Sequence, residues 1–344
     1  MIVLAATLLL FGATKTLNEA VNATDSATKV RGAYALGRAF DPDDQTQTAL
    51  IQRMIVSGHD GQREALVRGI VSRSWPGGLP EWFVSRIHDL LRDTGSGLEP
   101  VIEWLPREMV IDIALQRERD HYISGPSLLA LAIPLDDERL QKPVRERERL
   151  RATGLLFFQE KCRPVECAQD FAMLAWLHED LSRLFKRFED KRLGAPYDDL
   201  LALAWIRAAG GDSRGPGELA EAASTWIDPA LRLRALAYLW SMPKEPRSEA
   251  VAAALRSLRE DGDGRIRSYA ATRLSALAGR SGSDAAIAEG LTLALKDGTV
   301  DVRLEAAAGL LRLGAGKTEM AEAAKKEQDL AVRALMETGS AIGP

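Results

Sequence analysis

In the last third of the chain, apolar residues recur at the offsets that one face of an α-helix requires, and the whole arrangement then repeats. An aliphatic residue followed by arginine opens four stretches: Leu231-Arg232, Ile266-Arg267, Val302-Arg303 and Val332-Arg333, with the arginines 35, 36 and 30 residues apart. Three residues after the first three arginines come Ala235, Ala270 and Ala306. Leu239, Leu274 and Leu310 follow at seven, and Met242, Leu277 and Leu313 at ten. These offsets share one helical face. The spacing predicts helix pairs over 218–226 with 229–241, 248–260 with 265–278, 283–296 with 300–313, and 317–326 with 329–338. Asp228, Asp263 and Asp329 each stand four residues before their arginine, and Thr299 takes that place in the third repeat. Asp228-Pro229 reads as a helix start, with aspartate as cap and proline in the first turn. One amphipathic helix pair per period predicts a stack of such pairs.

A looser copy precedes it. Asp25 to Arg31 leads into Ala33, Ala35 and Leu36, and residues 41–44 form an acidic start for a helix through Ala49, Leu50, Ile51, Met54 and Ile55. Gly58 to Gly61 turns the chain into Arg63 to Val71. Lys29 and Arg63 lie 34 residues apart, each with an aliphatic residue seven later, Leu36 and Ile70. Trp75-Pro76-Gly77-Gly78-Leu79-Pro80 breaks the regularity, and residues 210–217 break it again. Between the breaks the sequence predicts helices near 81–92, 106–117, 126–132, 138–159, 168–191 and 197–209, without a firm period. The organisation expected is therefore 1–75 as N-terminal repeats, 76–210 as an irregular helical middle section, and 211–344 as C-terminal repeats.

Helix pair, acidic turn, aliphatic-arginine, then small residues and leucine on one face: this resembles the HEAT-repeat family in its bacterial short-repeat form. Residues 297–314 carry the resemblance best and 263–279 next. It implies an all-α, right-handed α–α superhelix, a HEAT-like solenoid with second helices on the concave face. It also implies that Arg232, Arg267, Arg303 and Arg333 bond to aspartates of neighbouring repeats, as structural residues. The small alanines suit helices that cross closely.

The bulk numbers agree with helix. Aromatic residues are 6% and charged residues 27%, and Ala, Leu, Arg and Glu dominate. A net charge of −4 and a pI of about 5.8 argue against a uniformly basic nucleic-acid-binding surface. Residues 1–12 are apolar but lack the preceding basic residues of a secretory signal and are too short for a membrane span. They are read as the second helix of a repeat, echoing Ala270-Ala271 and Ala306-Ala307. The expected location is cytoplasmic; the alternative is export, with residues 1–12 as a signal remnant and Cys162 and Cys167 disulfide-bonded.

Several short strings imitate catalytic motifs. Gly314-Ala315-Gly316-Lys317-Thr318 resembles the end of a phosphate-binding loop, but Leu311 stands where its first glycine belongs, and the preceding segment is helical. A helix-ending glycine and an inter-repeat turn are expected there. Asp93-Thr94-Gly95-Ser96-Gly97 imitates an aspartic-protease string in one copy, whereas that chemistry needs two aspartates. His178-Glu179 is one instance of a pair that deoxyhypusine hydroxylases, a HEAT-like di-iron family, use several times. His59, His88 and His121 have no metal-ligand spacing. Trp104, Trp176, Trp205 and Trp240 lie in apolar surroundings and read as core. No catalytic, cofactor or metal residue is assigned, and no partner-binding residue is identified.

The functional expectation is a non-catalytic scaffold or adaptor binding a protein or peptide on the concave face. The exposed parts of second helices 229–241, 265–278 and 300–313, facing away from the arginines, are the candidate surface. The alternatives are a HEAT-like enzyme or nucleic-acid binder of DNA-glycosylase-like fold, and the exported scaffold.

Overall fold

The computed structural model describes residues 14–92 (except 58, 74, 76 and 77), 105, 109, 196–240 (except 210) and 248–341 (except 280 and 281). Among them every regular element is a helix. After a helical segment over 14–21 come α1 (Ser26–Ala39), α2 (Gln45–Ser57), α3 (Asp60–Val71) and α4 (Glu81–Arg92). Then follow α5 (Tyr197–Ala209), α6 (Arg214–Thr225), α7 (Pro229–Trp240), α8 (Ser248–Glu260), α9 (Gly264–Leu277), α10 (Asp284–Ala294), α11 (Val300–Leu313), α12 (Lys317–Ala324) and α13 (Leu330–Ala341). The chain is an all-α protein of paired helices. Residues 1–12, both cysteines, His121, His178, Trp104, Trp176 and the Asp93–Gly97 string lie outside the described residues, as do the four helices expected between 106 and 191.

The helices start where the sequence places caps. Asp25 accepts the Thr28 N–H at 2.7 Å, Asp263 that of Arg265 at 2.8 Å, and Asp228 that of Ala230 at 2.8 Å. Gly314 ends α11 at φ 61° and Gly316 opens α12 at φ 65°, conformations that glycine adopts without a Cβ penalty. The Gly314–Thr318 string is thus an inter-repeat turn, with Lys317 as the first residue of α12. The offset-three alanines and offset-seven leucines are all buried, while Leu277 and Leu313 at offset ten are half-buried.

The residues group into two compact units: 1–109 with 258–344, and 110–257. These cut across the three-part organisation read from the sequence, because the two terminal segments share one core and α8 spans the boundary. In the first unit α9 packs on α11, α11 on α13, α13 on α1, and α1 on α3. The row of second helices therefore runs through the C-terminal repeats and continues into the N-terminal ones. Glycines set its tightest steps. A Cβ on Gly37 would stand 2.5 Å from the Leu66 carbonyl oxygen, and one on Gly69 2.4 Å from that of Tyr34, so α1 and α3 touch backbone to backbone. In the second unit, α5 packs on α6, and α6 on α7. Trp205 is buried and stacks on Tyr238 with ring centroids 5.0 Å apart.

Arginines link successive repeats along the N-terminal ends of the second helices. Arg267 is bidentate to Asp297, at 2.7 and 3.0 Å, and Arg303 is bidentate to Glu327, at 2.6 and 2.9 Å. Each also donates to a carbonyl of its own turn, Asp261 and Asp297 respectively. The acid stands two residues before the cap of the following helix, whereas Asp263 and Asp329 cap their own helices. The same slot before α1 holds Ala23, and there the link runs in reverse: Arg31 donates to Asp329 at 3.0 Å. Arg232 bonds the carbonyls of Trp226 and Ile227.

Burial alone would raise the Glu327 carboxyl, but hydrogen bonds from Arg303 and from the backbone of Asp329 and Gln328 hold it below its ordinary value. The side chains of Arg303 and Glu327 are 17% and 4% exposed, so Arg303→Ala strands a buried carboxylate. The expected loss is about 1–3 kcal/mol in urea melts, with no change for the exposed control Lys325→Ala. A carboxyl lowered in the folded state stabilises above its unfolded value and loses that contribution as pH falls through the folded one. The gap between wild type and Arg303→Ala should therefore be full at neutral pH and close as the pH drops below the ordinary glutamate range. Melts at stepped pH check this.

Candidate functional site: a buried polar cluster between α1, α3 and α11

Among the described residues of the first unit, buried polar groups meet where N-terminal helices pack on α11. Glu305 sits at mid-helix and is 3% exposed. The Tyr34 hydroxyl of α1 donates to Glu305 Oε2 at 2.7 Å, and Arg68 Nη2 of α3 donates to Oε1 at 3.2 Å. The Arg68 guanidinium also lies 4.7 Å from the Tyr34 ring centroid, a cation–π contact. Three helices thus meet on one carboxylate. Burial first, and the Glu305 charge second, push the Tyr34 phenol far above its usual range, against the opposing fields of Arg38 and Arg68. The phenol therefore stays protonated and acts as a donor. Burial works against the Arg68 charge, but Glu305 and its neighbours more than offset that.

The arrangement is suited to holding helices together. Each Glu305 oxygen has a donor, and α11 is buried continuously from Leu304 to Leu310. Of the three candidate partner helices, 300–313 has its middle covered by the chain's own helices, which leaves its exposed parts at the two ends. Helices α7 and α9 keep half-exposed faces. On α9 that face carries Ser268, Tyr269, Thr272, Arg273 and Ala276, opposite the buried Ile266, Ala270 and Leu274. Arg273 lies over the Tyr269 ring at 4.9 Å. Among the described residues no group of three or more His, Cys, Asp or Glu side chains could hold a metal ion, and no helix is long and apolar enough to cross a membrane.

Sequence reasoning missed Tyr34, Arg68 and Glu305. The one signal was a glutamate inside the run Leu304-Glu305-Ala306-Ala307-Ala308, with no polar neighbour after it to share a solvated face. A double-mutant cycle on Tyr34→Phe and Glu305→Gln should give a coupling of about 0.5–3 kcal/mol in urea melts, because each change leaves the other buried group short of a partner. Additive losses would mean that the hydroxyl and carboxylate do not interact.

A scan against protein-family models and a search of characterised proteins both found no match. Solved structures gave matches that include the crystal structure of an engineered protein from a structural genomics consortium. It is 17% identical over 95% of this chain and 97% of that one, with a TM-score of 0.34. The fold assignment accordingly stands on the helices and their packing.

Proposed function

We propose that this chain is a non-catalytic scaffold of HEAT-like repeats that binds a protein or peptide partner along the exposed faces of its second helices. The observation behind this reading is the division of labour among its polar side chains. Arg267 and Arg303 are taken up by acids of the following repeat, and the buried Tyr34–Glu305–Arg68 cluster joins helices. On α9, Tyr269, Thr272 and Arg273 are half-exposed, with Arg273 over the Tyr269 ring. Tyrosine and arginine are the residue types that carry binding energy at protein interfaces. An extended helical surface suits an elongated partner, such as a peptide or helix. Within the first unit, the partner docks on α9, away from the covered middle of α11.

Capture of a partner from the native source, followed by hydrogen exchange with and without it, tests the proposal. Slowed exchange is expected at residues 264–277. Protection confined to residues 76–210 would place the site elsewhere and leave the repeats as a frame. In the bound complex, Tyr269→Ala with Arg273→Ala should weaken binding at least tenfold without lowering the urea midpoint.

A further inference from the structure

A stacked tyrosine and arginine hold a carboxylate once in this fold. Arg68 lies 4.7 Å from the Tyr34 ring centroid, and the two side chains donate to the two oxygens of Glu305, at 3.2 and 2.7 Å. A second stacked pair stands on α9, where Arg273 lies 4.9 Å from the ring centroid of Tyr269, one helical turn away. Both of its residues are half-exposed. Their place in the repeat is informative. Tyr269 follows Arg267 by two residues, as Glu305 follows Arg303. On α11 this position is buried, because Tyr34 of α1 and Arg68 of α3 reach it. On α9 the same position keeps part of its surface. The charge is one-sided there as well. Helix α9 contains three arginines and no acidic residue. The acids that take Arg265 and Arg267 are Asp263 and Asp297, and both stand outside the helix.

We propose that Tyr269 and Arg273 receive a side-chain carboxylate from an acidic partner helix, which lies on α9 at the register position that α1 and α3 reach on α11. The carboxylate accepts from the Tyr269 hydroxyl and from the Arg273 guanidinium, as Glu305 accepts from Tyr34 and Arg68. A guanidinium carries five N–H groups, so it takes this acceptor alongside others. Small residues beside the acid, as Ala306 and Ala308 stand near Glu305, let two helices approach closely. Such a contact selects the partner by charge more than it adds affinity. The inference rests on the partner reading of α9 and adds the chemistry of the partner.

The probe is a fluorescent, alanine-based helical peptide with a glutamate at every fourth position, titrated with the full chain at low salt. Two counterparts carry glutamine or lysine at those positions. The glutamate peptide should bind saturably, and both counterparts about tenfold more weakly. Non-specific attraction to a chain of net charge −4 favours the lysine peptide, so a preference for glutamate reports the site. Tyr269→Phe keeps the ring and should weaken the glutamate peptide about threefold, leaving the glutamine peptide unchanged. Arg273→Gln should weaken the glutamate peptide about tenfold at an unchanged urea midpoint; if that variant does not fold, Tyr269→Phe decides alone. Arg265→Gln, at the start of α9, should keep the wild-type affinity. No binding of the glutamate peptide, equal binding of the glutamate and glutamine peptides, or affinity unchanged in Tyr269→Phe and Arg273→Gln overturns the carboxylate assignment. Hydrogen exchange with the captured partner separates the two readings. Protection at 264–277 alongside any of those results keeps the surface and removes the acid, whereas absence of protection there removes the surface itself.

Discussion

One buried carboxylate fixes how the first unit is assembled. Glu305 lies in the middle of α11, where water cannot solvate it, and an ionised carboxylate there is tolerable only if protein donors replace that water. The donors come from α1 and α3, more than 230 residues earlier in the chain. Remove those helices and α11 keeps a charge with nothing to hold it. The N-terminal helices are therefore a required part of the packing of the C-terminal repeats. That requirement explains why the compact unit joins both terminal segments, although the sequence reads them as separate arrays.

Arginines act at both ends of the helix row, by different means. At the N-terminal ends, Arg267 and Arg303 bridge to acids of the following turn, and Arg31 reaches back to Asp329 across the junction of the two segments. At the other end, Arg38 and Arg312 meet helix carbonyls. Between the ends, small residues govern the spacing. Gly309 packs so close to Ser275 that a Cβ would stand 3.1 Å from the Ser275 Cα, and Gly339 lies equally tight on Met320. Close backbones shield the ionic links from water, which is what makes them worth more than surface pairs.

The local structure was legible because it depends on short-range rules. The expected starts and ends of α4, α5 and α8 coincide with those observed, and the turn at Gly314 follows from glycine placement. Helix α6 begins four residues before the expected 218, since Pro216 is tolerated in a first turn where its missing N–H has no helical partner. Long-range facts were not legible. Nothing in local spacing tells Arg31 from Lys29 as the linking residue, because the choice depends on Asp329, which lies beside it only after folding. A glutamate in a helical run reads as solvated until a second segment covers it, so Glu305 and its partners stayed hidden. The covering of the middle of α11 was hidden for the same reason, although α11 matched the repeat pattern best.

The N-terminal helices and C-terminal repeats of the first unit make up one cooperative structure. Native-state hydrogen exchange under low denaturant measures that directly, since segments that open together share one opening free energy and one denaturant dependence. The buried amides of α1, α3, α11 and α13 should converge on a single opening event. If α1 and α3 exchange through a separate, weaker opening while α11 and α13 keep full protection, the two segments are independent, and Glu305 does not join them.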